Sequence, residues 1–128
     1  MIWNGVMPAI TTCFDRNYAV DHRFMTEHCR WLLDNGCTGL VPLGSLGEGA
    51  TLSFEEKLEI LKTCVQATQG KAPVMGAISS LKTSEAVDLA KGAADGSWMI
   101  VPYGNELMVF ATADAHRLLS STLQEMSR

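Results

Sequence analysis

The chain has 128 residues, enough for one modest domain with its own core. Hydrophobic residues make up 47% and charged residues 19%, which excludes a disordered chain and argues for a folded one. The formal net charge is -4 with no basic cluster, so neither nucleic acid nor an anionic membrane surface is an expected partner.

No apolar run reaches the length of a membrane span, because Asp34, Glu48 and Glu55 interrupt the first half. The start, Met1-Ile2-Trp3-Asn4-Gly5, has no basic segment followed by an apolar one. No signal peptide is expected, and the cytoplasm is the expected location. Cys13, Cys29, Cys37 and Cys64 form no C-x-x-C pair and read as buried, reduced thiols. His22, His28 and His116 are scattered, and His22 and His28 do not share a helix face. No metal site is expected from this set.

Val6 to Thr11 reads as a short first strand. Asp21 can cap a helix whose inward stripe is Phe24, His28, Trp31, Leu32 and Asn35, with Asn35-Gly36 as its stop. Thr38 to Leu43 is a second strand. Ser53-Phe54-Glu55-Glu56 is a capping box that opens a second helix through Leu58, Leu61 and Val65, ending at Gly70. Lys71-Ala72-Pro73 makes a turn, and Val74 to Ile78 a third strand. A third helix starts at Thr83 or Ser84, and Trp98 to Val101 is a fourth strand. Strands apolar throughout and alternating with helices predict an α/β fold with a parallel sheet. Residues 1–128 read as one domain, with 104–128 as a divergent, helical tail whose helix runs from Ala113 to Gln124.

The chemistry concentrates at Gly44-Ser45-Leu46-Gly47-Glu48, directly after the apolar run Leu40-Val41-Pro42-Leu43. Alternating strand and helix folds place their sites at such C-terminal strand ends. The flanking glycines allow a sharp turn and close approach of a ligand to the backbone. Free amides there favour a carboxylate or phosphate. Ser45 offers a hydroxyl that can relay a proton. Leu43 in place of glycine rules out a hydrolase elbow, and the spacing is neither a P-loop nor a dinucleotide fingerprint. Glu48 reads as a structural carboxylate bonded to nearby amides, with general base as the alternative.

The wider run is Gly5-Val6-Met7-Pro8-Ala9-Ile10-Thr11-Thr12, Phe14, Val20-Asp21, Gly36-Cys37-Thr38-Gly39-Leu40, then Gly44 through Ser53 with Glu55-Glu56-Lys57. Pro73-Val74-Met75-Gly76-Ala77 and Thr83-Ser84-Glu85-Ala86 follow in order. Together these segments resemble the dihydrodipicolinate synthase and N-acetylneuraminate lyase family, over about Gly5 to Tyr103. The resemblance implies a class I aldolase or lyase on a (β/α)8 barrel, holding pyruvate or another 2-oxo acid as a Schiff base on a lysine, with no cofactor. Ser45 stands where the family has its proton-relay hydroxyl. Leu46 stands where a threonine usually helps hold the substrate carboxylate, which leaves backbone amides for that task and points to other substrates. Cys13 replaces the proline usual before Phe14. Tyr103, after Pro102, resembles a tyrosine near the site or at a subunit contact and is with Ser45 the candidate catalytic residue, its plain reading being a packing residue at a strand end.

A complete barrel of this kind needs about 250 residues. The family's catalytic tyrosine follows the fifth strand and its lysine ends the sixth, and neither segment has a counterpart here. The lysines present are Lys57, Lys62, Lys71, Lys82 and Lys91, of which only Lys82 falls near the catalytic rim, as a helix-start residue. The resemblance therefore implies an incomplete barrel of about four β/α units: a truncated relative, inactive alone. The alternatives are a lyase completed by another chain and a module that binds 2-oxo acids or regulates. Open strand edges predict a homo-oligomer.

Overall fold

The computed structural model describes residues 4–78, 80, 82–93, 98–103 and 106–111. Its elements in chain order are α1 (His22–Asp34), a 3-10 turn (Ser45–Gly47), α2 (Phe54–Thr68), β1 (Val74–Ile78), α3 (Thr83–Ala93), β2 (Trp98–Tyr103) and β3 (Glu106–Ala111). Two extended runs precede β1, at the positions of the first and second expected strands. Val6 and Ala9 bridge in parallel to Cys37 and Val41, and Leu40 bridges in parallel to Val74. The ladder continues through Ile10 N to the Val41 carbonyl (3.0 Å), Met75 N to Leu40 (2.9 Å) and Ala77 N to Pro42 (3.0 Å). Helices alternate with these parallel runs, so the architecture is α/β.

The helix ends follow local chemistry. The Asp21 carboxylate accepts from Phe24 N at 2.9 Å and opens α1, and Gly36 at φ 96° follows its end. Ser53 and Glu56 form the full capping box of α2: Ser53 Oγ accepts from Glu56 N at 3.2 Å, and Ser53 N donates to Glu56 Oε2 at 2.8 Å. The core gathers Ile10, Leu40, Leu43 and Val74 from the strand layer with Met25, Cys29, Ile60, Leu61 and Cys64 from α1 and α2.

The inward face of α1 is not the expected one. Met25 and Cys29 are buried, while Phe24 is 52% and Trp31 59% exposed. Both stripes have helical spacing and lie about 100° apart on the helix. The expected stripe contained His28 and Asn35, whose polar groups are costly to bury; the observed one is free of them. Phe24, His28 and Trp31 instead stack along the outer face, with ring centroids 6.3 and 6.2 Å apart.

The expectation of an all-parallel sheet fails beyond β1. The three-stranded sheet has the order β1-β3-β2, and β3 runs antiparallel to both neighbours. Two residues separate Tyr103 from Glu106, and such a link closes a hairpin, whereas a parallel neighbour needs a crossover of about a dozen residues or more. β3 then covers the edge of β1 from Val74 to Ile78. The apolar run Glu106–Ala111, for which no element was expected, is thus β3. The expected helix from Ala113 to Gln124 lies outside the described residues.

Candidate functional site

The second extended run ends at Leu43, whose φ of 66° lies in the left-handed region although its side chain is buried. That conformation is uncommon for a bulky residue and marks a sharp exit from the strand layer. Ser45, Leu46 and Gly47 then wind into one 3-10 turn, closed by Gly47 N to the Gly44 carbonyl at 2.9 Å. Glu48 N reaches the Ser45 carbonyl at 3.2 Å and Gly49 N the Gly44 carbonyl at 3.3 Å. The amides of Ser45 and Leu46, first in the turn, make no hydrogen bond among the described residues. Ser45 and Leu46 are both exposed.

Two contacts hold the turn against the strand layer. Thr12, at the end of the first extended run, is buried and donates its hydroxyl to the Gly47 carbonyl at 2.6 Å. Gly49 lies so close to Leu43 that a Cβ there would clash with the Leu43 carbonyl oxygen. Sequence reading missed the part played by Thr12. The available signal was its place at the end of a strand parallel to the one that delivers the loop, since such ends share a rim.

Ser45 and Leu46 sit together at this rim. Tyr103 ends β2, which runs in the same direction as β1, so it lies at the same edge of the sheet. Three strand spacings, about 14 Å, separate the loop-bearing run from β2, because β1 and β3 intervene. Glu48 departs from expectation. It is exposed, its carboxylate has no hydrogen-bond partner among the described residues, and its backbone is left-handed at φ 54°. Its carbonyl is the part that binds, accepting from Thr51 N and Thr51 Oγ1, both at 2.9 Å. A residue at the crest of a tight turn presents its side chain to solvent, which is why the carboxylate is not buried.

None of the five lysines lies in a strand. Lys57, Lys62 and Lys91 are on helices, and Lys71 is in the turn before β1. Lys82, just before α3, is 73% exposed and pairs with Glu85 at 3.3 Å. The Glu85 carboxyl is held below the usual carboxylate range, first by its bond from Ser80 and then by Lys82. Cys13, next to the threonine that anchors the loop, has its thiol pushed up by burial. No group of three or more His, Cys, Asp or Glu is placed to hold a metal among the described residues. No described helix is long and apolar enough to cross a membrane.

A hollow of about 290 Å³ lined by Leu52, Lys57, Ser80 and Glu85 opens beyond the C-terminal end of β1. A larger one, about 630 Å³, is lined by Arg30, Asp34, Thr38, Gln69 and Lys71. It lies by the start of the second extended run, at the end away from Ser45, where this kind of fold keeps turns that serve stability.

The sequence signature of the Dihydrodipicolinate synthetase family matches residues 3–115. The chain belongs to that family. It is 40% identical over 110 residues to a 4-hydroxy-tetrahydrodipicolinate synthase of Nitratidesulfovibrio vulgaris, covering 83% of this chain and 37% of the relative. A synthase of that description from Natronomonas pharaonis is 40% identical over 107 residues, covering 80% and 36%. The chain thus spans little more than a third of the curated relatives it matches. Among solved structures, the Proteus mirabilis N-acetylneuraminate lyase matches at 28% identity and TM-score 0.67, covering 70% of this chain and 30% of that one. The Acinetobacter baumannii dihydrodipicolinate synthase, solved in complex with pyruvate, matches at 28% identity and TM-score 0.68, covering 71% and 31%.

Proposed function

We propose that this chain supplies the carboxylate-binding side of a Schiff-base lyase site that acts on a pyruvate-like 2-oxo acid. In this reading the runs from Val6 to Ile78 are the opening units of a (β/α) barrel, and the chain alone is inactive. The observation that carries the proposal is the Ser45–Gly47 turn at a C-terminal strand end, with the Ser45 and Leu46 amides unpaired. Those amides would receive the substrate carboxylate, and the Ser45 hydroxyl would pass a proton beside it. The Leu46 side chain offers no donor, so backbone amides carry the anion and an apolar group stands next to it. Imine formation needs an unprotonated amine facing the substrate, which calls for desolvation or a nearby cation. Lys82, solvated and paired with Glu85, has neither. The amine, like the catalytic tyrosine, therefore comes from barrel segments other than those described.

Amide NMR of the full chain tests the carboxylate-binding half. Titration with pyruvate is expected to shift the Ser45 and Leu46 amides, and acetone, which lacks the carboxylate, to leave them in place. Equal shifts from both compounds, or shifts confined to other residues, would contradict the reading.

One feature favours completion by a further strand over a stand-alone binding module. The first extended run bonds to its neighbour through Val6, Pro8 and Ile10, and the amides of Met7 and Ala9 are unpaired among the described residues. That open edge suits a strand from another polypeptide, including a second copy of the chain. Mixing the chain with the C-terminal part of a family member should then restore aldol cleavage; no gain at any ratio rejects completion in trans.

A further inference from the structure

We propose that Cys29 and Cys64 are an oxidisable dithiol that closes to a disulfide fastening α1 to α2. Their Sγ atoms lie 3.9 Å apart across the interface between the two helices, and both side chains are fully buried. A movement of about 2 Å brings them to the S–S bond length of about 2.0 Å. Cys13 and Cys37 are only half-buried and sit outside the helices, and the one sulfur–sulfur hydrogen bond among the described residues joins Cys29 to Cys64.

The two thiols are not equivalent. Cys29 Sγ donates to Cys64 Sγ, and the shared bond and then burial push the Cys64 thiol well up. Either sulfur can attack first, with the other as the resolving thiol. With an azo oxidant such as diamide, the first sulfur attacks one nitrogen of the N=N bond. The second sulfur then displaces that nitrogen from the first, the S–S bond forms, and the two thiol protons end on the hydrazine product. Two electrons leave the sulfurs and reduce the azo bond. Oxidant reaches the pair only when the α1–α2 interface opens, so Cys13 and Cys37 react first with alkylating reagents. The link closes a 35-residue separation around the run that delivers Ser45, and this restricts the unfolded chain more than the folded one.

The test uses the full chain under native conditions. Diamide treatment, alkylation of remaining thiols and digestion without reductant are followed by mass spectrometry. The expected result is a cross-linked peptide joining Cys29 to Cys64, absent from Cys29→Ala and Cys64→Ala. The urea midpoint of the oxidised wild-type chain should rise and return to its starting value with dithiothreitol. Cys29 and Cys64 recovered fully alkylated, or linked instead to Cys13 or Cys37, would overturn the proposal. So would a link that forms only in urea.

Discussion

At the scale of single residues, the site depends on side chains whose contribution is to position backbone. Thr12 brings one buried hydroxyl to one carbonyl, and that carbonyl belongs to the turn presenting Ser45 and Leu46. Thr12→Val keeps the shape and removes the donor, leaving the Gly47 carbonyl short of a partner. A loss of about 1–3 kcal/mol in urea unfolding is expected, with Thr12→Ser retaining most of the stability. Gly49→Ala places a methyl against the Leu43 carbonyl and should be worse, since backbone has to move to relieve it. A Gly49→Ala chain as stable as wild type would show that the loop is not held against Leu43. Ser45 and the turn around it were legible from two glycines after an apolar run. The left-handed Leu43 was not, because leucine carries no local signal for that conformation.

At the scale of elements, caps were read correctly and faces less so. Asp21, Ser53 and Glu56 act within three residues of their partners, and local rules suffice for them. Ser53→Ala should cost about 1 kcal/mol, measured by thermal or urea unfolding. The Glu56 carboxyl is held below its ordinary value by the Ser53 backbone N–H and then by the Ser53 hydroxyl. A depressed folded-state value means this support is present above the unfolded value of about 4.5 and fades as pH falls through the folded one. The acid limb of a stability–pH curve should therefore flatten in Glu56→Gln below about pH 4.5; an unchanged limb would exclude the capping carboxylate as its source. The face of α1 needed long-range information. Phe24–His28–Trp31 and Met25–Cys29–Leu33 are equally periodic, and the position of α2 decides between them. The antiparallel placement of β3 was likewise hidden in a two-residue link that reads equally well as the start of a loop.

At the scale of the whole molecule, three parallel runs with their helices present one rim on which Ser45, Leu46 and the end of β1 converge. One edge of that layer is covered by β3 and the other, at Met7 and Ala9, has no backbone partner among the described residues. Family membership was legible from ordered motifs between Gly5 and Ala86, because those residues shape the rim and its loop. All five lysines lie on helices or in turns, and Lys82, just before α3, is paired with Glu85. The most direct measurement is borohydride reduction of the purified chain in the presence of pyruvate, followed by peptide mass spectrometry of Lys57, Lys62, Lys71, Lys82 and Lys91. All five are expected unmodified; a reduced pyruvate adduct on any of them would show that the chain carries its own imine-forming amine.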